Sequence, residues 1–361
     1  MQLAVLGVGG AGSRLAARLA AADPDDRPYV AAVAAFDTDP EALADLEVPR
    51  EHRHAFGTTA RAADASAVRT AAEGNVQELS RAAADAVPSV ADGVLVAVGV
   101  GGATGAGAAP ILIDTLRDSI DVPVYALTVL PEPSEEDERA VVANARAGLL
   151  GLEATADTQL LFDNGHLDAP EERPTEADAD DAYADVNGTI AEWVAALFGA
   201  GEAADAAAVG ESVVDASEII ATLGEGGYAT IGYWHEQVRE KPSFLDRLRS
   251  KTETPDGIES YSTIETSVRR SLYRHRSADA DLARATRALL VTMGPPAWLN
   301  REAIADARRS LDEAIEGGAV RAGDTPIEDG THLTVLTVCV GMDRPERVAS
   351  LLERGGSENG D

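Results

Sequence analysis

Over roughly its first 164 residues the chain repeats one unit: an apolar run, a glycine or polar turn, and an Ala-rich helical stretch. The runs at 2–6, 30–36, 93–98, 122–129 and 158–162 read as strands, with helices such as 12–22, 76–87 and 106–119 between them. Such alternation builds a doubly wound parallel sheet. Ligands on these sheets bind outside the carboxyl ends of the strands, so each turn just after a strand is a candidate for chemistry.

The first turn, Gly7-Val8-Gly9-Gly10-Ala11-Gly12, has the G-x-G-x-x-G spacing of dinucleotide-binding proteins, and Ser13 and Arg14 follow it into the helix. Asp37 ends the second strand, where a ribose-binding acid would sit. Alone, this points to an NAD-dependent oxidoreductase. The physics is more general, because glycines let backbone amides approach phosphate oxygens and the following helix offers its positive end. The second turn runs from Gly99 through Gly101, Gly102, Ala103, Thr104 and Gly105 to Gly107, and it too follows a strand and opens a helix. A pyrophosphate needs one such turn. Two at neighbouring strand ends can wrap a triphosphate from both sides, with the Thr104 hydroxyl donating as well.

Beyond the first sheet, the stretch 168–181 is dominated by Asp, Glu, Ala and Pro and reads as a solvated loop, and a long helical run follows at 182–198. The character then changes to helix 215–222, strand 228–234, a polar stretch 242–259, helix 262–275, strand 288–293, helix 301–315 and strand 333–340. This divides the chain into a nucleotide-binding domain at 1–181, a linking helix at 182–200, an α+β domain at 201–345 and a short helix and tail at 346–361.

Composition excludes several classes. The net charge of −32 comes from 62 acidic residues against 30 basic ones, spread along the whole chain, and Lys241 and Lys251 are the only lysines. Such a surface holds water and cations at high ionic strength, where the Debye length is about 3 Å at 1 M, and repels itself in dilute buffer. A nucleic-acid groove, which needs clustered Lys and Arg, is not expected. Cys339 lies in an apolar run and reads as a small core hydrophobe. His52, His54, His166, His235, His275 and His332 lack metal-ligand spacing. No apolar stretch approaches the ~20 residues that span a bilayer, so no direct membrane insertion is expected and the cytoplasm is the expected compartment.

The second turn resembles the tubulin/FtsZ signature G-G-G-T-G-[ST]-G, in which glycines cradle the phosphates of GTP. Ala103 stands where the signature has glycine, and Ala106 where it commonly has a hydroxyl; a left-handed backbone at position 103 would cost alanine about 1 kcal/mol. Further matches follow in family order. Gly74-Asn75, ahead of a helix with Arg81, resembles the loop that senses the terminal phosphate. The segment 131–139 resembles the one carrying a ribose-contacting acid, placed at Glu135 with Glu136 as the fallback. Phe162-Asp163-Asn164 resembles the turn whose Asn reads the guanine edge. Tyr183 and Asn187 match a Tyr-x-x-x-Asn pair one helical turn apart, in which Tyr183 stacks on the base and Asn187 bonds to it.

Val214-Asp215-Ala216-Ser217-Glu218 carries two acids three apart at the start of a helix. The plain reading is N-terminal capping. The segment also resembles the synergy loop of the FtsZ and tubulin families, whose acids enter the nucleotide site of the next subunit and position water for attack on the γ-phosphate. Val213 stands where FtsZ proteins commonly have Asn. With Leu130-Pro131 and Phe162-Asp163-Asn164, this moves the resemblance toward the CetZ tubulin-like proteins of haloarchaea and covers about 1–354. The resemblance implies a tubulin/FtsZ-like fold, GTP/GDP and Mg²⁺ as ligands, head-to-tail filaments, and a GTPase site completed by the neighbouring subunit, with a role in cell shape or motility. A non-hydrolysing regulator acting on paralogous tubulin-like subunits is the alternative, and an NAD-dependent oxidoreductase the third.

Overall fold

The computed structural model describes residues 1–57, 64–167, 183–200, 214–238, 257–328 and 330–355. The acidic stretch 168–181, Val213, most of the polar stretch 242–259 and the tail beyond 355 lie outside the described residues.

The apolar runs of the first half become β1 (Leu3–Val8), β2 (Val30–Asp37), β4 (Gly93–Gly99), β5 (Val124–Leu130) and β6 (Thr158–Asp163), with a short β3 (Arg53–Ala55) beside β2. All six are parallel in the order β3-β2-β1-β4-β5-β6. Alternate side chains leave opposite faces: Leu3 and Val5 join one core, Ala4, Leu6 and Val8 the other. A parallel sheet that is apolar on both faces needs helices on both. The face of Leu3 and Val5 is covered by α1 (Gly9–Ala21) and, further along the chain, by the long α7 (Ala184–Gly199). The other face takes α3 (Ala65–Gly74), α4 (Val76–Asp85), α5 (Ala103–Arg117) and α6 (Arg139–Thr155), while the short α2 (Pro40–Ala44) sits beside β2.

The second half continues the same sheet. β7 (Tyr228–Gln237), preceded by α8 (Ala216–Leu223), pairs in parallel with β6 through only two residue pairs, Gln159 with Tyr228 and Leu160 with Ala229. β10 (His332–Met342) then lies antiparallel between β7 and β8 (Arg287–Gly294), and β9 (Ala319–Pro326) forms the far edge beside β8. Apolar periodicity shows no strand at 319–326, where Arg321, Asp324 and Pro326 interrupt the pattern. The face shared with α5 is covered here by α9 (Gly257–Tyr273), α10 (Arg301–Ala314) and α11 (Glu346–Arg354). Cys339 is buried in β10, where burial pushes its thiol up to about 12, as a core hydrophobe requires.

α7 holds the two halves together. Its 16 residues rise about 24 Å, from Tyr183, whose hydroxyl reaches the loop after β5, to Phe198, whose carbonyl accepts from the N-terminus ahead of β1 at 3.2 Å. Trp193 lies between Phe162 of β6 and Tyr233 of β7, with ring centroids 6.2 and 5.7 Å away. The short β6–β7 ladder is therefore backed by an aromatic stack that crosses it.

Candidate functional site

β1 and β4 are neighbours, yet the chain leaves β1 toward β2 and β3 and leaves β4 toward β5 and β6. The crevice where strand order reverses is thus between the turns that follow Val8 and Gly99, and both glycine turns open there. Gly9 has φ +75°, and a Cβ on it would stand 2.7 Å from the Gly105 nitrogen. A Cβ on Gly105 would in turn meet the carbonyl oxygens of Gly99 and Val8 at 2.8 and 3.3 Å. The two turns touch, and a side chain at either position would force them apart. A Cβ on Gly12 would lie 2.1 Å from the Ala97 carbonyl, so that glycine lets α1 rest directly on β4.

Helix starts differ sharply in how they are finished. Asp39, Asp64, Asp215 and Asn300 cap α2, α3, α8 and α10 with side-chain acceptors. α1 and α5 have neither a side-chain cap nor an acid in the first turn, in a chain with 62 acids. Among the described residues their first N–H groups have no side-chain cap, and they aim the positive ends of two helices into one crevice. Gly10, Ala11, Arg14, Gly101, Gly102 and Thr104 remain accessible there. The Thr104 hydroxyl lies 3.1 Å from that of Thr38, just beyond Asp37, whose carboxyl is pushed up by burial and partly held down by the amides of Asp39 and Thr38.

Two residues assigned to the phosphates from sequence, Ser13 and Gly107, make other contacts. Ser13 is buried and donates to the Gly7 carbonyl at 3.4 Å, bracing the turn from beneath. Gly107 faces α3, where a Cβ would strike the Ala65 carbonyl at 2.4 Å. Ala103 is the first residue of α5, and Glu316 is the single non-glycine with positive φ among the described residues. The expected left-handed cost at Ala103 does not arise, because Gly102 (φ −84°, ψ 139°) makes the turn and the helix has already begun. Asn75 bonds back to the Ala71 carbonyl at 2.8 Å, and Arg81 is exposed beside Asp85.

The remaining candidates gather around the loop after β5. The Tyr183 hydroxyl donates to Glu135 Oε1 at 2.6 Å, and the Glu132 amide donates to Glu135 Oε2 at 2.9 Å. A carboxylate has about four acceptor sites, so Glu135 keeps capacity for a further donor. Glu136, the fallback, is instead buried between Arg347 and Arg354. Asn164 has a buried Oδ1 with no hydrogen-bond partner among the described residues, at the carboxyl end of β6. The Asn187 amide donates to the Tyr183 carbonyl at 2.8 Å, one turn along α7. Sequence reasoning missed Asn144, buried on α6, whose Nδ2 donates to the Gly101 carbonyl at 3.1 Å and whose Oδ1 accepts from the Ala65 amide at 2.9 Å. It ties the second glycine turn to the start of α3; the available signal was a lone carboxamide among the apolar positions Val142, Ala145 and Leu149.

Asp215 and Glu218 are elsewhere. α8 is anchored by its carbonyls, Leu223 accepting from Thr158 at the start of β6 and Ala221 from Arg287 at the start of β8. The carboxyl end of the helix is thus tied to the amino-terminal edge of the sheet, opposite the glycine turns, and both acids sit at the helix start, within about 12 Å of that anchor. Asp215 caps α8 through the Glu218 amide at 2.9 Å and accepts from the Ser217 hydroxyl at 2.6 Å. Those two donors, the hydroxyl first, hold its carboxyl below the usual range.

The chain matches two family models, the Tubulin/FtsZ family GTPase domain over residues 2–169 and the tubulin-like CetZ C-terminal domain over 176–357. It is 33% identical to tubulin-like protein CetZ5 of Haloferax volcanii over 97% of this chain and 90% of that one. Among solved structures it is similar to GDP-bound monomeric CetZ1 of Haloferax volcanii, with a TM-score of 0.83 at 27% identity over 99% of this chain and 100% of that one. It is also similar to CetZ2 of the same organism in a GTPγS-bound protofilament, with a TM-score of 0.84 at 29% identity over 99% and 98%.

Proposed function

The chain belongs to the tubulin/FtsZ family, within its CetZ branch, and we propose that it binds GTP in the crevice between β1 and β4 and works as a head-to-tail polymer. The observation that carries this reading is the contact of two glycine turns, each opening an uncapped helix, at one reversal of strand order. The amides at the starts of α1 and α5 would hold the phosphates. Glu135 would accept from a ribose hydroxyl, Tyr183 would stack on the base, and Asn187 with Asn164, whose Oδ1 has no partner among the described residues, would read the guanine edge. Mg²⁺ would enter with the nucleotide, held chiefly by phosphate oxygens and water, where it offsets charge.

Hydrolysis follows from assembly in this reading. The helix that carries Asp215 and Glu218 is anchored at the sheet edge opposite its own glycine turns, which supports a second copy stacked along the strand direction bringing its acids to the γ-phosphate. There they would orient water, whose oxygen bonds to the γ-phosphorus as the bond to the β–γ bridging oxygen breaks, giving GDP and phosphate. Loss of the γ-phosphate would weaken the junction. We place this activity in the cytoplasm of a salt-adapted cell, acting on cell shape or motility.

The test is GTP turnover and pelleting in molar KCl. Turnover per protomer should be negligible below a threshold protein concentration and rise with polymer mass above it. Turnover strictly proportional to protein concentration from zero would rule out a site shared between copies.

A further inference from the structure

α11 reaches back to both turns that carry the nucleoside candidates. Arg347 Nη2 lies 2.6 Å from Glu136 Oε1 and donates to the Pro131 carbonyl at 3.0 Å, while its Nε lies 3.3 Å from Asp163 Oδ2. Arg354 holds the other Glu136 oxygen and donates to the Glu136 carbonyl at 3.1 Å. The Glu136 and Asp163 side chains are 3% and 7% exposed, so these are buried acids committed to their partners. Each is the chain neighbour of a nucleoside candidate: Glu136 follows Glu135, and Asp163 precedes Asn164. One guanidinium thereby pairs with an acid on the loop that offers the ribose acid and with an acid on the turn that offers the base-reading carboxamide, and it donates its hydrogen bond to the Pro131 carbonyl. Its hydrogen bonds and ion pairs reach neither glycine turn.

We infer that Arg347 is a positioning residue for nucleoside recognition, setting the spacing between Glu135 and Asn164 from the carboxy-terminal helix. This rests on the GTP reading above. It assigns α11 a part in choosing the base, through residues that do not touch the ligand.

Calorimetric titration of the full chain in molar KCl with GTPγS and with ATPγS tests it. Arg347→Ala should weaken GTPγS binding about tenfold and erase most of the preference over ATPγS; the melting temperature of the nucleotide-free chain should fall as well, because Asp163 loses its basic partner even though Arg354 still neutralises Glu136. Arg347→Lys should restore affinity in part. Arg354→Ala, which reaches Glu136 and not Asp163, should lower affinity while keeping the base preference. The inference is overturned if Arg347→Ala keeps both affinity and preference. It is overturned equally if both nucleotides weaken by the same factor and the preference survives, which is what a purely structural clamp would do. A wild-type chain that fails to bind GTPγS would remove the GTP reading itself, and that failure is visible before any substitution is made.

Discussion

Asp215 carries two separable roles, and its chemistry allows them to be pulled apart. As the cap of α8 it supplies an acceptor to the Glu218 amide, and an asparagine there would cap as well. As a proposed catalytic acid it supplies charge. Asp215→Asn should therefore keep the melting temperature within a degree or two and strongly reduce GTP turnover in polymer, whereas Asp215→Ala should lose about 1 kcal/mol of stability as well. Unchanged turnover in the asparagine variant would leave Asp215 a cap and nothing more. Spacing alone marked Gly9 and Gly12 as turn glycines, but it assigned both to a nucleotide, whereas the contact visible at Gly12 is the packing of α1 on β4. Single residues were not legible where the role is set by a distant partner. Glu135 and Glu136 are indistinguishable as neighbours in sequence, and only Arg347 and Arg354 consign the second to the interior. Asn144 was missed because its two backbone partners, at Gly101 and Ala65, come together only in the fold.

Among elements, α7 carries the most consequence. Besides the stack on Trp193, its Glu192 accepts from the Tyr233 hydroxyl at 2.9 Å and lies 3.3 Å from His235 Nδ1, with the His332 ring edge-on to His235 at 5.6 Å. The hydrogen bond to Glu192 outweighs burial and raises the His235 imidazolium above its ordinary range; the same contact holds Glu192 below the usual carboxylate range. A raised histidine adds stability that is full below about pH 6.5 and is lost as pH rises through the folded value. A depressed carboxylate adds stability that is present above about pH 4.3 and is lost as pH falls through the folded value. The pair therefore supports the fold most between those limits. Glu192→Gln should lower the melting temperature most near pH 6 and least near pH 8.5, by a small amount since both groups are half exposed. A pH-independent difference would exclude the ion pair. Most elements could be read from periodicity, including α5 despite Pro110, which stays buried against Gly151. β9 could not, because an edge strand with Arg321, Asp324 and Pro326 carries too weak an apolar signal.

At the scale of the whole molecule, a net charge of −32 sets the conditions under which the fold persists. The melting temperature should rise steeply as KCl goes from about 0.1 M to about 2 M and then flatten, as the Debye length falls to about 3 Å and self-repulsion is screened. A profile flat in salt would show that the acids are already neutralised within the fold. The parallel half of the sheet was legible because each strand announces itself locally. The order β7-β10-β8-β9 was not, since nothing in local periodicity places the last strand between two earlier ones. The margins of that sheet bear on crowding. β3 offers three residues, and β9 carries Arg321, Asp324 and Pro326 along its length. Neither rim is a template for zippering with another chain. A chain that stacks end to end, as proposed above, can then be packed densely without seeding cross-β fibres, because its flanks refuse strand pairing.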